Sequence, residues 1–398
     1  MPDHKNKLQI NLLGLAVAIA ATTPVTSVAG ALEDAFTNGK TSVNMRYRYE
    51  TVEDSVNLDA TASTLRTRVG FTTSDKEALS AHIDFEHLTR AGDPEYNSTT
   101  NGLTQYATVA DPDATELNQA FLKYHVIDNT DIILGRQRII LDNARFVGNV
   151  GWRQNEQTFD AIHLASKPVK DLAIHFVNVQ RVKTITSTNI DVNTNLLNAA
   201  YSAAPGGTLS AYAYMIEFDD TPANSTGTYG LRYKGASSDL LYTLEYASQS
   251  DYGDNPGSLS ANYLFGELGY KIADVATVFI ALESLGSDNG TAAFQTPLAT
   301  KHAFNGWADK FLTTPANGLD DMYIKAEGNA LGLKLTAVYH DFSAENGGVD
   351  YGTELDLVAT KKLNETFKVL VKYADYSADT FSADTQKIWV ALEMDLKQ

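Results

Sequence analysis

The feature that most constrains this chain is a two-residue alternation of apolar and polar side chains along almost its whole length. In the last segment, 386–397, apolar residues occupy the even positions from 388 and charged residues the odd positions from 393. Segments 41–51 and 63–73 repeat the pattern near the front. Side chains two apart share one face of a β-strand, so each segment predicts a strand with one apolar and one polar face. The 3.6-residue repeat of helices is not sustained beyond the N-terminal region.

About eighteen such segments can be counted, and their length suits a tilted membrane crossing. The predicted strands lie near 41–51, 63–73, 78–90, 116–127, 130–141, 158–167, 171–183, 194–203, 208–219, 226–235, 239–249, 259–272, 275–285, 320–328, 330–343, 350–361, 365–377 and 386–397.

The connections between these segments alternate in length. Tight connections such as Asp128-Asn129 and Ala273-Asp274 alternate with longer polar ones, of which 91–115, 142–157 and 286–319 are prominent. This alternation predicts an all-β fold: a transmembrane antiparallel β-barrel of about 18 strands with short periplasmic turns and long extracellular loops. Only a closed barrel pairs all strand backbone groups within a bilayer.

The N-terminus predicts export. Lys5 and Lys7 precede an apolar run of roughly 14 residues, shorter than the roughly 20 of a membrane-spanning helix, and small residues at 29–31 suit cleavage. We therefore expect a signal peptide over 1–31, a single barrel domain over 32–398, and a location in the outer membrane of a Gram-negative bacterium. Lipid and lipopolysaccharide are the expected partners of the apolar barrel face, because a lumen this wide leaves its inner face wet.

Composition excludes several other functions. Lys+Arg number 31 against 49 Asp+Glu, and this formal net charge of −18 is unfavourable for nucleic-acid binding. The absence of cysteine excludes disulfides, thiolate metal sites and cysteine nucleophiles. We expect no cofactor, although the acidic stretches Asp111 to Glu116 and Asp219-Asp220 offer oxygen ligands for loop Ca²⁺.

The arginine distribution carries the strongest functional signal. Of eleven arginines, ten precede residue 182, which concentrates positive charge on one wall of the predicted barrel. Guanidinium groups bind carboxylates bidentately, so this wall predicts a channel for anionic solutes such as acidic sugars. Alternatively, lumen charges only satisfy one another. The candidate pore-lining residues are Arg46, Arg48, Arg66, Arg68, Asp84, Glu86, Arg136, Arg138, Arg145, Arg153 and Arg232.

Two connections are candidates for narrowing the pore. Segment Gly135 to Asp160 is rich in Arg, Asn, Gln and aromatic residues; it either folds inward, with Arg145, Trp152 and Arg153 at the narrowest point, or packs outside on the rim. In the second segment, His302 to Leu319, three aromatic residues either pack the loop or stack on sugar rings.

Five short motifs stand out in the two connections and the strands beside them. They are Gly135-Arg136-Gln137, Arg145-Phe146-Val147-Gly148, Trp152-Arg153-Gln154, Thr158-Phe159-Asp160 and the late Phe304-Asn305-Gly306-Trp307-Ala308-Asp309-Lys310-Phe311. With these motifs the chain resembles the alginate-export (alginate porin-like) family of outer-membrane barrels, over essentially all of 32–398. The resemblance implies an eighteen-strand monomeric barrel whose Arg-rich constriction passes anionic polysaccharide or its fragments.

Two other functions compete with a channel. A structural or adhesive barrel would be plugged by its own loops. A barrel hydrolase would need His82, His87 or His340 beside Ser or Asp. The chain contains neither GxSxG nor HExxH, so we do not expect an enzyme.

Overall fold

The structure, a computed structural model, describes residues 33–75, 78–273 and 275–397. The signal peptide predicted over 1–31 lies outside the described residues. Eighteen antiparallel strands form one barrel sheet, as the alternation predicts. Its first nine strands are β1 (Lys40–Asp54), β2 (Ala60–Thr72), β3 (Leu79–Arg90), β4 (Ala114–Ile127), β5 (Thr130–Gln137), β6 (Thr158–Val169), β7 (Leu172–Lys183), β8 (Asn189–Ala204) and β9 (Gly207–Ile216). The strands that follow are β10 (Thr226–Ser237), β11 (Leu240–Asp251), β12 (Ser260–Ile272), β13 (Ala276–Leu285), the short loop hairpin β14 (Ser287–Asp288) and β15 (Ala292–Ala293), and then β16 (Leu319–Ala330), β17 (Leu333–Ser343), β18 (Asp350–Lys362), β19 (Phe367–Ala378) and β20 (Thr385–Lys397).

The barrel closes where its first and last strands meet. Strand β1 pairs with β20 in an antiparallel ladder, in which Met45 opposes Met394, and with β2 on its other side. Each barrel strand therefore has two hydrogen-bonded neighbours, and no sheet edge is left unpaired.

Tight turns join the strands at one end of the barrel, as predicted. Asn129 (φ 60°) turns the chain between β4 and β5, and Leu331 (φ 56°) with Gly332 (φ 73°) does so between β16 and β17. Positive φ at both central positions gives a two-residue turn the twist that adjacent strands require. The long connections 91–113, 138–157 and 286–318 all leave the opposite end.

The outer face of the barrel is apolar. Phe85, Leu244 and Ile280 are each more than half exposed, which suits contact with lipid rather than water. The inner face carries the polar members of each alternating strand, such as Arg48, Glu50 and Glu86, which are buried.

The lumen is filled more than the sequence predicts. The ring of Phe146, from connection 138–157, lies 5.2 Å from those of Tyr212 and Tyr263 and 5.8 Å from that of Phe294. These residues belong to an apolar core inside the barrel, between the connections and the inner faces of strands from β6 round to β20. The inner face is therefore wet only where no connection covers it.

In the part of the chain that the structure describes, helical structure is limited to one short turn of α-helix at 33–37 and the 3₁₀ turns Pro222–Asn224 and Lys301–Ala303. Within the described ranges, no helix combines the length and apolar character needed to span a bilayer.

Candidate functional site

The candidate site is built on the connection between β5 and β6, which we call the internal loop (138–157). The sequence left open whether this segment folds inward or packs outside. The structure places it inside the barrel, where Gln154, Asn155 and Glu156 are fully buried. Strand β5 ends at Gln137 rather than at the predicted 141, because the chain turns into the lumen there.

Three arginines from β1 and β2 hold the internal loop by its backbone. Arg46 donates to the carbonyls of Gly151 (3.2 Å) and Arg153, and to the Gln154 side chain (2.8 Å). Arg48 donates to the Trp152 carbonyl, and Arg66 donates to that of Gln154 (3.3 Å). A guanidinium carries five donors in a rigid fork, so it can bind several carbonyls at once. These three predicted residues face the lumen, but the loop covers them.

Glu156 anchors the returning end of the internal loop. Its carboxylate accepts hydrogen bonds from Arg138 (2.7 Å) and Asn118 (2.8 Å) and forms an ion pair with Arg68 (3.1 Å). Burial alone would raise the pKa of Glu156, but Arg68, Arg138 and Asn118 outweigh burial and lower it to about 2. Arg68 also pairs with Glu86. Glu156 therefore stays ionised and neutralises part of the arginine charge.

Two arginines on the internal loop connect it to other walls. Arg153 lies 3.3 Å from Glu50 on β1 and 3.1 Å from Asp309 in connection 286–318. Arg145 contacts Glu283 on β13 (2.6 Å) and Asn305 (2.9 Å). Because each guanidinium spans two elements, the two connections and the barrel wall form one hydrogen-bonded unit.

Sequence reasoning missed a second cluster, centred on Lys372 of β19. Its ammonium lies 4.1 Å from the ring centroid of Trp152 and 3.6 Å from that of Trp307. It also donates to His302 Nε2 (2.7 Å). We call Lys372, Trp152, Trp307 and His302 the lysine clasp. The sequence held one clue to this cluster, because Lys372 occupies a polar position of an alternating strand. The register places Lys372 opposite Trp389 of β20.

Asp309 supports the lysine clasp from behind. Its carboxylate accepts from His302 Nδ1 at 2.7 Å and from Lys387 at 3.0 Å. Burial lowers the pKa of His302 well below 6.5, so the imidazole is neutral. Burial opposes ionisation of Asp309, but His302, Lys387 and Arg153 together hold its pKa well below 3.8.

Arg136 does not line the lumen, contrary to the prediction. On β5 the buried Gln137 points inward, so Arg136 shares the outer face with Leu134. There it forms a bidentate pair with Asp160 of β6 (2.7 and 2.8 Å). The sequence assignment failed because β5 is short and the face of its last residues depends on where the chain turns inward.

The remaining predicted residues are dispersed. Asp84 faces the lumen on β3 and accepts a long hydrogen bond from Asn118 (3.4 Å). Arg232 lies on β10, far along the sheet from β1, and pairs with Glu245. Asp111, in one candidate Ca²⁺ stretch, lies 3.4 Å from Arg48 and accepts the Gln154 amide (2.8 Å). No group of three His, Asp or Glu side chains in the described ranges is arranged to hold a metal ion.

Two cavities lie beneath the loops. The larger, about 370 Å³, is mixed in charge, with Arg232 and Lys325 beside Glu267, Glu283 and Glu327. The smaller, about 260 Å³, is lined by Trp152, Trp307, Lys334, Thr336, Val358, Thr360, Leu370 and Lys372. We call the smaller one the basic cavity, because both charged side chains in its lining are lysines. Trp307, Thr336 and Val358 line both cavities, so the two are contiguous.

A closed eighteen-strand barrel with an apolar exterior and charged internal loops defines an outer-membrane porin. The alginate export family model matches residues 38–277, more than half of the chain. The protein therefore belongs to the alginate export family, as the motifs predict. No curated protein matches the sequence.

Solved structures share the fold at low identity. Pseudomonas aeruginosa OpdK, crystallised with vanillate, superposes with a TM-score of 0.72 at 14% identity, covering 91% of this chain and 100% of that one. P. aeruginosa OccK3 (OpdO) gives 0.69 at 12% identity, with coverages of 93% and 99%. Acinetobacter baumannii OccAB4 gives 0.69 at 13% identity, with coverages of 92% and 100%. These comparisons support the barrel fold.

Proposed function

We propose that this porin passes anionic saccharides of the alginate type by diffusion through a constriction formed by the internal loop. The observation that carries the proposal is the Arg68–Glu156–Arg138 cluster at the edge of that loop. The Arg138 side chain is 37% exposed although it is paired, so a passing carboxylate can reach it. Guanidinium groups recognise carboxylates bidentately, which suits exchange between the internal Glu156 and a solute.

The internal charge network supports moderate rather than strong anion preference. Arg48, Arg145 and Arg153 are each within 4 Å of a protein carboxylate and are nearly fully buried. Their charge is largely compensated, so they shape the lumen more than they attract solutes. We assign attraction to the more exposed Arg138, with Arg68 holding Glu156 beside it, and place the other predicted arginines in a supporting role.

The test is ion selectivity of the purified protein in planar bilayers under a salt gradient, followed by addition of oligomeric mannuronate. We expect anion preference, block by the acidic sugar, and weakening of both in Arg68→Ala and Arg138→Gln. Cation preference in the unsubstituted protein would contradict the proposal. An absence of conductance would favour a barrel plugged by its loops.

We also propose that the barrel is not a hydrolase. His340 hydrogen-bonds Asp321 through Nδ1 at 2.8 Å and lies 3.7 Å from Asp356, with no serine of the described ranges bonded to it. His82 and His87 each hydrogen-bond a threonine rather than a serine or an aspartate. A nucleophile and base must lie within hydrogen-bond reach of each other for covalent catalysis. Hydrolysis of ester and peptide substrates by the purified porin would overturn this assignment.

The oligomeric state and the partners of the porin belong to the same proposal. We expect a monomer in the bilayer, with lipopolysaccharide around the outer end, no nucleic-acid partner, and no resident cofactor or Ca²⁺. Mass measurement of the detergent-solubilised protein tests the monomer, and unchanged melting in EDTA tests the absence of structural Ca²⁺.

A further inference from the structure

The basic cavity differs in chemistry from the rest of the charged lumen. Its lining combines two lysines, two threonines and two tryptophans with Val358 and Leu370, and it includes neither Asp nor Glu. The adjoining larger cavity is mixed in charge, because its lining holds three glutamates beside Arg232 and Lys325. A solute carboxylate in the basic cavity would therefore meet the exposed Lys334 without an acidic side chain in the same lining.

Lys334 is the accessible cation of the basic cavity. It lies on β17 near the tight-turn end of the barrel, opposite Thr360 of β18. Lys334 is exposed, and no described carboxylate lies within ion-pair distance of it. This sets it apart from Lys325 of β16, which pairs with Glu267 at 3.2 Å. An unpaired ammonium offers three donors to an incoming carboxylate.

Lys372 lines the opposite side of the cavity, where the lysine clasp holds it. The register aligns Val358 of β18 with Lys372 and Thr360 with Leu370, so Lys334 and Lys372 lie two strands apart. Adjacent strands are about 4.8 Å apart, which separates the two strand axes by about 10 Å. Because the lysine clasp holds Lys372, that side of the cavity is fixed, and the exposed Lys334 is the lysine that can move to meet a solute.

The remaining lining suits a ring. Trp307 contributes an aromatic side chain, Val358 and Leu370 contribute apolar surface, and Thr336 and Thr360 contribute hydroxyl groups. Aromatic faces stack on flat rings and on the C–H faces of sugars. A volume of about 260 Å³ restricts the occupant to a small solute or one unit of a chain.

We propose that the basic cavity is a binding subsite for a six-membered ring bearing one carboxylate, with the carboxylate on Lys334 and the ring against Trp307. The subsite lies on the tight-turn side of the internal loop and rests on the proposed function. In export the acidic ring reaches this subsite before it passes the Arg68–Arg138 constriction, and in uptake it reaches the subsite afterwards. A uronate unit and a simple aromatic carboxylate share this chemistry.

The test uses the full-length barrel in planar bilayers with probe added on the tight-turn side. Trigalacturonate and benzoate are the two anionic probes, and maltotriose is the neutral control. We expect Lys334→Gln to raise the blocking concentration of the bound probe about tenfold, because a hydrogen bond to a charged group is lost. The matched control is Lys362→Gln, which removes the same charge outside the cavity. Lys362 pairs with Glu365 at an exposed turn.

The probe that blocks the Lys334→Gln channel less effectively than the unsubstituted channel identifies the source of the ring. An effect on trigalacturonate alone assigns a saccharide subsite, and an effect on benzoate alone assigns an aromatic-acid subsite. Equal weakening in Lys334→Gln and Lys362→Gln would overturn the proposal, because it would show only a long-range charge effect. Block by trigalacturonate that Lys334→Gln leaves unchanged would overturn the subsite while leaving the proposed function intact.

Fluorescence gives an independent measurement in detergent micelles. The chain has 3 tryptophans, and all three meet in one cluster, since Trp389 packs 5.6 Å from Trp152 and Lys372 contacts Trp307. Binding of a ring against Trp307 should shift the intrinsic emission in proportion to occupancy. Lys334→Gln should move the titration midpoint about tenfold while leaving the spectrum of the free protein unchanged. Superimposable titrations of the two proteins would refute the subsite.

Discussion

The two basic walls of the lumen use positive charge differently. On β1 and β2, Arg46, Arg48 and Arg66 are nearly fully buried beneath the internal loop and donate to its carbonyls. On β17, Lys334 is exposed and has no carboxylate partner among the described residues. The comparison shows that density of positive charge in the sequence does not by itself locate the solute path. A cation attracts solute only where the connections leave it uncovered.

The residue types match these roles. A guanidinium is rigid and multidentate, so Arg46 can bind two carbonyls and a side-chain oxygen together. An ammonium is a compact, mobile charge on a flexible stem, which suits transient contact with a passing anion. The arginines of β1 and β2 therefore fix the internal loop, and Lys334 is left for the solute.

Removing the internal loop should produce the largest change. Replacing residues 141–152 by a short Gly-Ser linker deletes Phe146 and Arg145 and uncovers Arg46 and Arg48, so we expect single-channel conductance to rise several-fold and anion preference to increase. The matched control shortens connection 252–258, most of whose residues are exposed and none of which belongs to the apolar core. Equal conductance in both shortened proteins would show that the internal loop does not restrict the lumen.

Removing the charge of the lysine clasp should produce the second-largest change in channel current. Lys372→Met keeps the volume of the side chain but removes the ammonium between Trp152 and Trp307. A buried cation–π contact contributes about 2 kcal/mol, so the loop-released state should rise more than tenfold, seen as frequent current steps in recordings. Lys325→Met is the control, since Lys325 lies 4.1 Å from the Phe279 ring but touches neither loop. Steady current in Lys372→Met would contradict the role assigned to the clasp.

Acid should loosen the same clasp to a smaller extent. Burial lowers the pKa of His302 below 6.5, although Asp309 opposes this and Lys372 reinforces it. A proton therefore binds the released imidazole better than the clasped one. The clasp is fully formed above pH about 6.5 and weakens by at most about 1.4 kcal/mol for each pH unit below that value.

Recordings between pH 7.5 and 5 test this dependence. Current steps should become more frequent as the pH falls through about 6, and His302→Asn should abolish the trend. Glu156 does not contribute in this range, because its pKa is about 2. A pH trend that survives in His302→Asn would assign the acid response to another group.

Substitution of Arg136 should have the smallest effect on the channel. Comparing it with substitution of Arg138 distinguishes a residue on the outer face from one in the lumen. Because its pair with Asp160 lies on the outer face, Arg136→Gln should leave ion selectivity unchanged and cost at most about 1 kcal/mol of stability. Arg138→Gln, two residues away, should instead shift selectivity toward cations. Equal shifts in the two variants, measured as zero-current potentials, would place Arg136 in the lumen after all.

Much of the fold follows from local pattern. Period-two alternation predicts the strands because burial in lipid and exposure to the lumen act on successive side chains, and this holds over eighteen strands. The register of short elements is harder to predict, as Arg136 shows, because one residue of shift exchanges the two faces. The arginines predicted on β1 and β2 do face the lumen, but their covering by the internal loop could not be predicted.

The sequence by itself determined the barrel, its strand number, its turn and loop ends and its family. Each of these depends on neighbouring residues or on motifs that are contiguous in the chain. Only the tertiary structure decided which way the long connections fold and which charges meet. Contacts such as Arg153 with Glu50 and Asp309, or Lys372 with Trp152 and Trp307, join residues that are far apart in the chain. Their free energy depends on closure of the whole barrel, so no local pattern encodes them.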